Sequence, residues 1–302
     1  MKVKILLVDA FTTEVNKGNR AGVVLDADGL NERQMQKIAS IVNVSETAFV
    51  FSRDGQDHDI RIRYFTPTTE VPLCGHATIA AHFARAKEKG VTKGCFKQKT
   101  KAGILPVQID SDEEGILITM TQNNPVFGSI ITDDTRTGLL LALDLKEEDL
   151  NPESPIQIIA TGHSKVILGI LKREKLNSIH PNFNSLKELS KSINCNGYFV
   201  FTFDTPSDDI LTAGRMFAPA IGINEDPVTG MANGPLGAYL VKHRLVRFSG
   251  NELKFAGLQG EAIGKSGICY VTVHINDNEP VLVQISGRAV IASQLEILLE
   301  NL

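Results

Sequence analysis

Apolar residues at Met35, Ile38 and Ile41 recur at the three-residue spacing of one helical face, and this segment predicts an amphipathic helix leading into the strand ETAFVF. The same shape returns in LKELSKSINCNGYFVFTF, where Tyr198-Phe199-Val200-Phe201 stands 150 residues after Ala48-Phe49-Val50-Phe51. The strand-like tract Arg63-Tyr64-Phe65-Thr66-Pro67 recurs as Arg215-Met216-Phe217-Ala218-Pro219, an offset of 152. A turn containing Glu follows each copy, and then a glycine opens a second helix rich in Ala, Gly and Thr: EVPLCGHATIAAHFARA in one case, EDPVTGMANGPLGAYLV in the other. Further upstream, Gly18-Asn19 precedes the strand AGVVL as Gly162-His163 precedes KVILGIL. Aligned features at nearly one offset predict two domains of like topology. Each is built from strands, one amphipathic helix, more strands, and a small-residue helix suited to close packing inside a curved sheet.

That order is not a regular strand-helix-strand alternation, so the fold class is α+β rather than a doubly wound parallel sheet. The expected domains are residues 1–118, completed by about 288–302, and residues 119–287. The stretches Asp112–Gly115 and Asp133–Arg136 bracket the crossover.

Composition narrows the function. The chain has 302 residues, 42% of them hydrophobic, enough for two cores at about 150 residues per domain. Its 31 basic and 35 acidic residues give a net charge of −4 and no electropositive surface of the kind phosphate backbones require. Tryptophan is absent and aromatics are 6%, which removes the stacking platforms of single-strand binders. The cluster Lys97, Lys99, Lys101 reads as a solvated strand face. The opening MKVKILLVDAF has an apolar run broken by Asp9, too short for a signal peptide, and no later run approaches a membrane span; a cytoplasmic protein is expected. Cys74, Cys95, Cys195 and Cys269 form no CxxC pair, so free thiols are expected rather than a metal knuckle or a disulfide framework.

Familiar catalytic signals are missing: there is no GxGxxG, HExxH or GxSxG. Gly264-Lys265-Ser266 resembles the end of a phosphate loop, but Gln259 stands where the first glycine belongs. What remains is two helix N-termini, at Gly75-His76 and at Gly230, whose amide groups and dipoles suit a carboxylate. If the two halves pair about a pseudo-twofold axis, these ends would face one another in an interdomain cleft.

Glu46, Cys74, His76 and Asp226 are the candidate acid/base groups. A carboxylate at the head of the apolar run TAFVF could be desolvated, which would raise the Glu46 pKa toward the range useful for proton shuttling; a solvated strand-end glutamate is the plain alternative. His76, in the first turn of a helix, should be kept neutral by the dipole and serve as a hydrogen-bond partner or relay, or simply as a capping residue. Cys74 could be a thiolate at the same helix end or a buried inert thiol. Asp226 precedes Pro227 and could be no more than a turn residue.

At these residues the chain resembles a known family. GNRAGVVLDADGL, NVSETAFV, RYFTPTTEVPLCGHATIAA, RMFAPAIGINEDPVTG, Leu258-Gln259-Gly260 and Ile285-Ser286-Gly287 are similar, in the same order and over nearly the whole chain, to the phenazine-biosynthesis PhzF-like isomerases. The resemblance implies a diaminopimelate epimerase-like fold: two related domains, each a mixed, barrel-like sheet wrapped round a central helix. It also implies catalysis by Glu46, which would move a proton between carbons of a dihydro-hydroxyanthranilate-type carboxylate, with His76 and Asp226 as further active-site groups. Asn19, Cys74, Gly75, Gly230 and Met231 are the expected substrate-binding positions, and backbone N–H donors near Gly75 and Gly230 would stabilise transition-state charge, commonly worth about 3 kcal/mol each. No metal or organic cofactor is expected; a homodimer is expected at family level.

The chain departs from the family pattern at two positions. Arg20 stands where many members have proline, and Met231 replaces a small hydroxyl residue, removing one hydrogen bond to substrate. LCGH also resembles the first cysteine motif of proline racemases, but the matching turn of the second half, Glu225–Gly230, has no cysteine. A mixed Cys/carboxylate racemase and a non-catalytic small-molecule binding protein are the alternatives.

Overall fold

The computed structural model describes Lys2–Leu299; the remainder of the expected 288–302 segment, residues 300–302, lies outside the described residues. The chain divides into two units. One runs to Thr121 and takes in the chain from Ser286 onward, and the other is Gln122–Ile285.

The first unit contains β1 (Lys2–Ala10), β2 (Asn19–Val24), α1 (Glu32–Val42), β3 (Glu46–Ser52), β4 (Ile60–Phe65), β5 (Glu70–Val71), α2 (Gly75–Lys89), β6 (Gly94–Thr100), β7 (Gly103–Asp112) and β8 (Gly115–Thr121). The last strand of the chain, Ala289–Leu298, pairs antiparallel with β1. From β1 the pairings run antiparallel to β2, parallel from β2 to β3, antiparallel to β4, parallel to β6 and antiparallel to β7. α2 packs against β1, β2, β3, β8 and the last strand, so it is the central element of a mixed sheet. Its sequence explains why: along GHATIAAHFARA the buried positions run almost continuously and most are small, which lets strands approach on several sides. α1 instead lies on the outside with one apolar face, and Met35 and Ile38 are buried while Ile41 is exposed. Asn31 and Gln34 close its N-terminus as a reciprocal capping box, and Asn43 ends it in the left-handed conformation at φ 52°.

The second unit contains β9 (Val126–Ile130), α3 (Asp133–Ala142), β10 (Gln157–Ala160), β11 (Ser164–Ile170), α4 (Arg173–Ser178), α5 (Phe183–Ile193), β12 (Tyr198–Thr202), β13 (Thr212–Ala218), β14 (Ile223–Asp226), α6 (Gly230–Lys242), β15 (Glu252–Gln259), β16 (Gly267–Asn276) and all but the last two residues of β17 (Glu279–Gly287). Starting at β10 the pairings are antiparallel to β11, parallel to β12, antiparallel to β13, parallel to β15 and antiparallel to β16. That succession is the one found from β1 in the first unit. α5 also repeats the α1 ending, with Asn194 left-handed at φ 50°.

α6 packs against β10, β11, β15 and β16 and is buried over nearly all its length. Its first turn is kinked at Met231, where φ is −77° and ψ is 15°. Pro235 lies four residues on, where its ring meets the Met231 carbonyl and its missing N–H leaves that carbonyl without a helical donor. Gly237 sets the approach of α6 to β16: a Cβ there would lie 2.8 Å from both Val271 Cγ1 and Val273 Cγ2. Gly237→Ala should therefore cost about 1–3 kcal/mol through overpacking. A urea denaturation midpoint measures this, and a loss below about 0.5 kcal/mol would show that the two valines yield freely.

The expected α+β class with a helix at the centre of each mixed sheet describes both units. All four cysteines are free thiols, and only Cys95 is exposed. No helix among the described residues is long and apolar enough to cross a membrane. Lys97 faces solvent, whereas Lys99 pairs with Asp54 at 2.8 Å and Lys101 with Glu70.

Candidate active site

Glu46, Cys74 and His76 come together in the first unit. The left-handed turn at Asn43 swings the chain off α1, and Val44-Ser45 lead into β3, whose first residue, Glu46, pairs with Ala21 of β2 in parallel register. The second half of the cluster comes from the N-terminus of α2. Cys74 is the N-cap, with an extended backbone and no side-chain cap hydrogen bond, and His76 lies in the first turn.

His76 Nε2 is 3.2 Å from Glu46 Oε2 and 3.1 Å from Ser45 Oγ, and Cys74 Sγ is 3.5 Å from His76 Nδ1. The His76 side chain is 8% exposed and that of Glu46 14%, so both groups meet largely in the dry interior. Glu46 Oε2 is shielded from solvent and accepts no aligned hydrogen bond. The imidazole therefore balances Glu46 as a close ion pair.

Both carboxylate and imidazole depart from the values expected of their local sequence. Burial pulls the Glu46 carboxyl upward, as its place before an apolar strand predicts, but His76, Ser45 and Cys74 outweigh it and the carboxyl lies below the usual range. The expectation of a raised Glu46 is thus corrected. Burial likewise opposes a charged His76, yet the Cys74 sulfur and the Glu46 carboxylate reverse it and hold the ring well above the ordinary histidine value. The expectation of a neutral His76 is also corrected, since a carboxylate at 3.2 Å outweighs one helix dipole. Burial and the Glu46 charge push the Cys74 thiol up, so it is not the low-pKa thiolate its helix-end position suggests. Cys74 and Glu46 together hold the ring up, the carboxylate at 3.2 Å.

Behind the cluster, buried polar side chains anchor α2. Thr78 Oγ1 donates to the Cys74 carbonyl at 2.7 Å and lies 2.6 Å from the Tyr64 hydroxyl. One turn further on, His82 Nε2 is 2.9 Å from Gln98 Oε1. Burial depresses the His82 pKa to about 4. A histidine depressed in the fold contributes stability that is present above its unfolded value near 6.5 and lost as the pH falls toward 4. Between those pH values the wild-type protein should lose about 3 kcal/mol that His82→Gln does not lose. Denaturant titrations at several pH values test this, and parallel losses in the two proteins would rule it out.

Asn19 is buried at the start of β2, opposite Ala10. Gly18 before it has φ 61°, and a Cβ there would lie 2.2 Å from the Ala10 carbonyl oxygen, so glycine is required. Arg20 has a structural partner: its Nε and Nη2 donate to the buried Asp9 carboxylate at 2.6 and 2.8 Å, and Asp9 also accepts from the Asn16 amide. This pair fixes the loop ahead of Asn19. The Ser45 hydroxyl, already beside His76, donates to the Arg20 carbonyl at 3.3 Å.

In the second unit Asp226, Gly230 and Met231 surround a polar knot centred on Gln259. Gln259 Nε2 donates to the Asp226 carbonyl at 2.8 Å, and its Oε1 accepts from the Thr229 amide and from Asn233 Nδ2, both at 3.0 Å. The Thr229 hydroxyl donates to the Asp226 carboxylate. The Gly230 carbonyl accepts from Gln122 Nε2 at 2.9 Å, and the Met231 side chain packs against Gly162. Lys165, 6% exposed, donates to the Ser164 carbonyl at 3.1 Å, and burial lowers its pKa against the opposing pull of Cys195 and Asp226. Ser45, Thr229 and Lys165 had no role in the sequence reading. Ser45 and Thr229 directly precede assigned residues, a signal available from adjacency alone, while Lys165 carried none.

The model of the phenazine biosynthesis-like proteins, PhzC-PhzF, matches residues 8–294. The chain belongs to this family. It is 51% identical over 298 residues, 99% of each chain, to an uncharacterised isomerase of Clostridium acetobutylicum. It is 30% identical to the trans-2,3-dihydro-3-hydroxyanthranilate isomerase of Pseudomonas aeruginosa, covering 94% of this chain and 95% of that one. The crystal structure of a Bacillus anthracis phenazine biosynthesis protein of the PhzF family superposes with a TM-score of 0.90 at 35% identity, over 99% of this chain and 100% of that one. A hydroxyproline epimerase from Agrobacterium vitis, 10% identical over 98% and 92% of the two chains with a TM-score of 0.62, shares the fold. The protein is an isomerase of the PhzF family.

Proposed function

We propose that Glu46 takes a proton from one carbon of a small carboxylated substrate and returns it to another carbon of the same molecule, with no cofactor. The observation that carries this reading is the largely buried Glu46 carboxylate, 14% exposed and 3.2 Å from His76 Nε2. A carboxylate so placed, desolvated and paired with an imidazole, can accept a proton from carbon. His76 keeps the carboxylate charged between turnovers and stabilises negative charge as it develops, and the amide groups at the N-terminus of α2, near Gly75, bind polar parts of the substrate. The Pseudomonas aeruginosa relative's name supports a dihydro-hydroxyanthranilate-type substrate, a ring whose conjugated carboxylate acidifies the C–H bond. Cys74 as base in a Cys/carboxylate racemase is the weaker reading, because burial and the neighbouring carboxylate keep its thiol protonated.

Proton NMR in D₂O against trans-2,3-dihydro-3-hydroxyanthranilate, proline, hydroxyproline and diaminopimelate tests the reading. Deuterium incorporation with a shifted double bond in the first compound is the expected result. Exchange at the α-carbon of an amino acid, lost in Cys74→Ser and kept in Glu46→Gln, would replace it with the racemase. Ligand-induced stabilisation without exchange in any compound would replace it with a binding protein.

A further inference from the structure

Glu46, Cys74 and His76 each bring one metal-ligating atom to a common point, and these atoms all lie within 4.8 Å of one another. Zinc bonds of about 2.3 Å to sulfur and about 2.0 Å to nitrogen or oxygen, at tetrahedral angles, set neighbouring donors roughly 3.3–3.6 Å apart. The cluster nearly has those edges already: 3.2 Å from His76 Nε2 to Glu46 Oε2 and 3.9 Å from His76 Nε2 to Cys74 Sγ. The Cys74 sulfur, 3.5 Å from His76 Nδ1 and within 4.8 Å of the other two donors, would have to rotate toward them to complete three corners of a tetrahedron. A thiol, an imidazole and one carboxylate are the donor set of a borderline-soft cation and are poor for magnesium or calcium, which prefer several oxygens.

We infer that this cluster is a capture site for zinc and similar thiophilic divalent cations, and that such a cation is a reversible inhibitor of the isomerase. Binding forms metal bonds to Cys74 sulfur, His76 nitrogen and Glu46 oxygen, and releases the thiol and imidazolium protons to the buffer. The metal then occupies the oxygen that would take the substrate proton. Inhibition rests on Glu46 acting as base, whereas binding does not, so the two are measured separately.

Binding is read on tag-free full-length protein, with cobalt(II) as spectroscopic probe and zinc in competition with a chromophoric chelator. The expected result is a thiolate-to-cobalt charge-transfer band with intense tetrahedral ligand-field bands, both abolished by stoichiometric zinc. Cys74→Ala should remove the charge-transfer band and, like His76→Asn and Glu46→Gln, weaken zinc binding by roughly 100-fold or more. Cys95→Ser, which changes an exposed thiol outside the cluster, should bind as wild type does. Absence of the charge-transfer band, or zinc affinity unchanged in Cys74→Ala, overturns the site. Should Cys74→Ala fail to fold by circular dichroism, His76→Asn and Glu46→Gln decide, and unchanged affinity in both overturns it equally. Turnover is then followed with and without zinc. Loss of exchange restored by chelator is the expected result; full activity in the zinc-loaded protein would leave the site standing and remove Glu46 as the base.

Discussion

Glu46→Gln should lower substrate C–H exchange by about 10²–10⁴-fold while leaving the fold and the affinity for substrate nearly unchanged. The amide keeps the size of the side chain and its place at the head of β3, but it has no basic oxygen to receive a proton from carbon. It also removes one of the two groups that raise the His76 pKa, so the His76 ring should titrate lower than in the wild type. That second signature separates loss of the base from misfolding, because it is read by proton NMR of the ring without substrate. The wild-type pH profile follows from the same pair. Activity should persist below the usual carboxylate range before falling as Glu46 protonates, and fall on the alkaline side only above the ordinary histidine value, as His76 loses its proton. Exchange in Glu46→Gln within threefold of wild type, on the order of 0.7 kcal/mol, would remove Glu46 from the chemistry.

Glu225→Ala should be the most destabilising simple truncation of an ion pair in this protein, at about 3–5 kcal/mol. Arg215 donates through Nε and Nη2 to both Glu225 oxygens at 2.9 and 2.8 Å, and through Nη1 to the carbonyls of Leu176 and Ile179. Its side chain is 7% exposed and that of Glu225 11%. Removing the carboxylate leaves a guanidinium that water reaches poorly and that retains only the two carbonyls. The melting temperature should fall by on the order of 10 °C. Glu147→Ala, which breaks the exposed Arg136–Glu147 pair, is the control and should cost less than about 1 kcal/mol. Equal losses in the two variants would show that burial at Arg215 contributes little.

The Arg215–Glu225 pair also separates what is legible along the chain from what is not. The arginine before Phe-x-Pro and the glutamate of the following turn recur in both halves of the sequence, and in the first unit Arg63 holds Glu70 with the same two-pronged contact, at 2.7 and 2.6 Å. The recurrence could be seen in the sequence; the contact could not. The repeat, the outer amphipathic helices ending at Asn43 and Asn194, and the small-residue helices at the centre of each sheet were readable because local spacing and residue size dictate them. The tilt of Met231 was not read, although Pro235 four residues on is its cause.

The site divides along the same line. The residue identities of the Glu46 cluster follow from two short motifs, SETAF at the head of a strand and LCGH at the start of a helix. The charge states do not. A reading confined to neighbours along the chain gives Glu46 a raised pKa and His76 a neutral ring, since it sees only an apolar strand and a helix dipole. Ser45 and His76 are 31 residues apart, and Gln259 is 30 residues from the Thr229 it binds. The sequence by itself determined the elements, their repetition and the residue types at their ends, because those depend on propensity, periodicity and local sterics. Only the tertiary structure decided which protonation state each group adopts, because electrostatic energy depends on distance and burial, and folding sets both among residues remote in the chain.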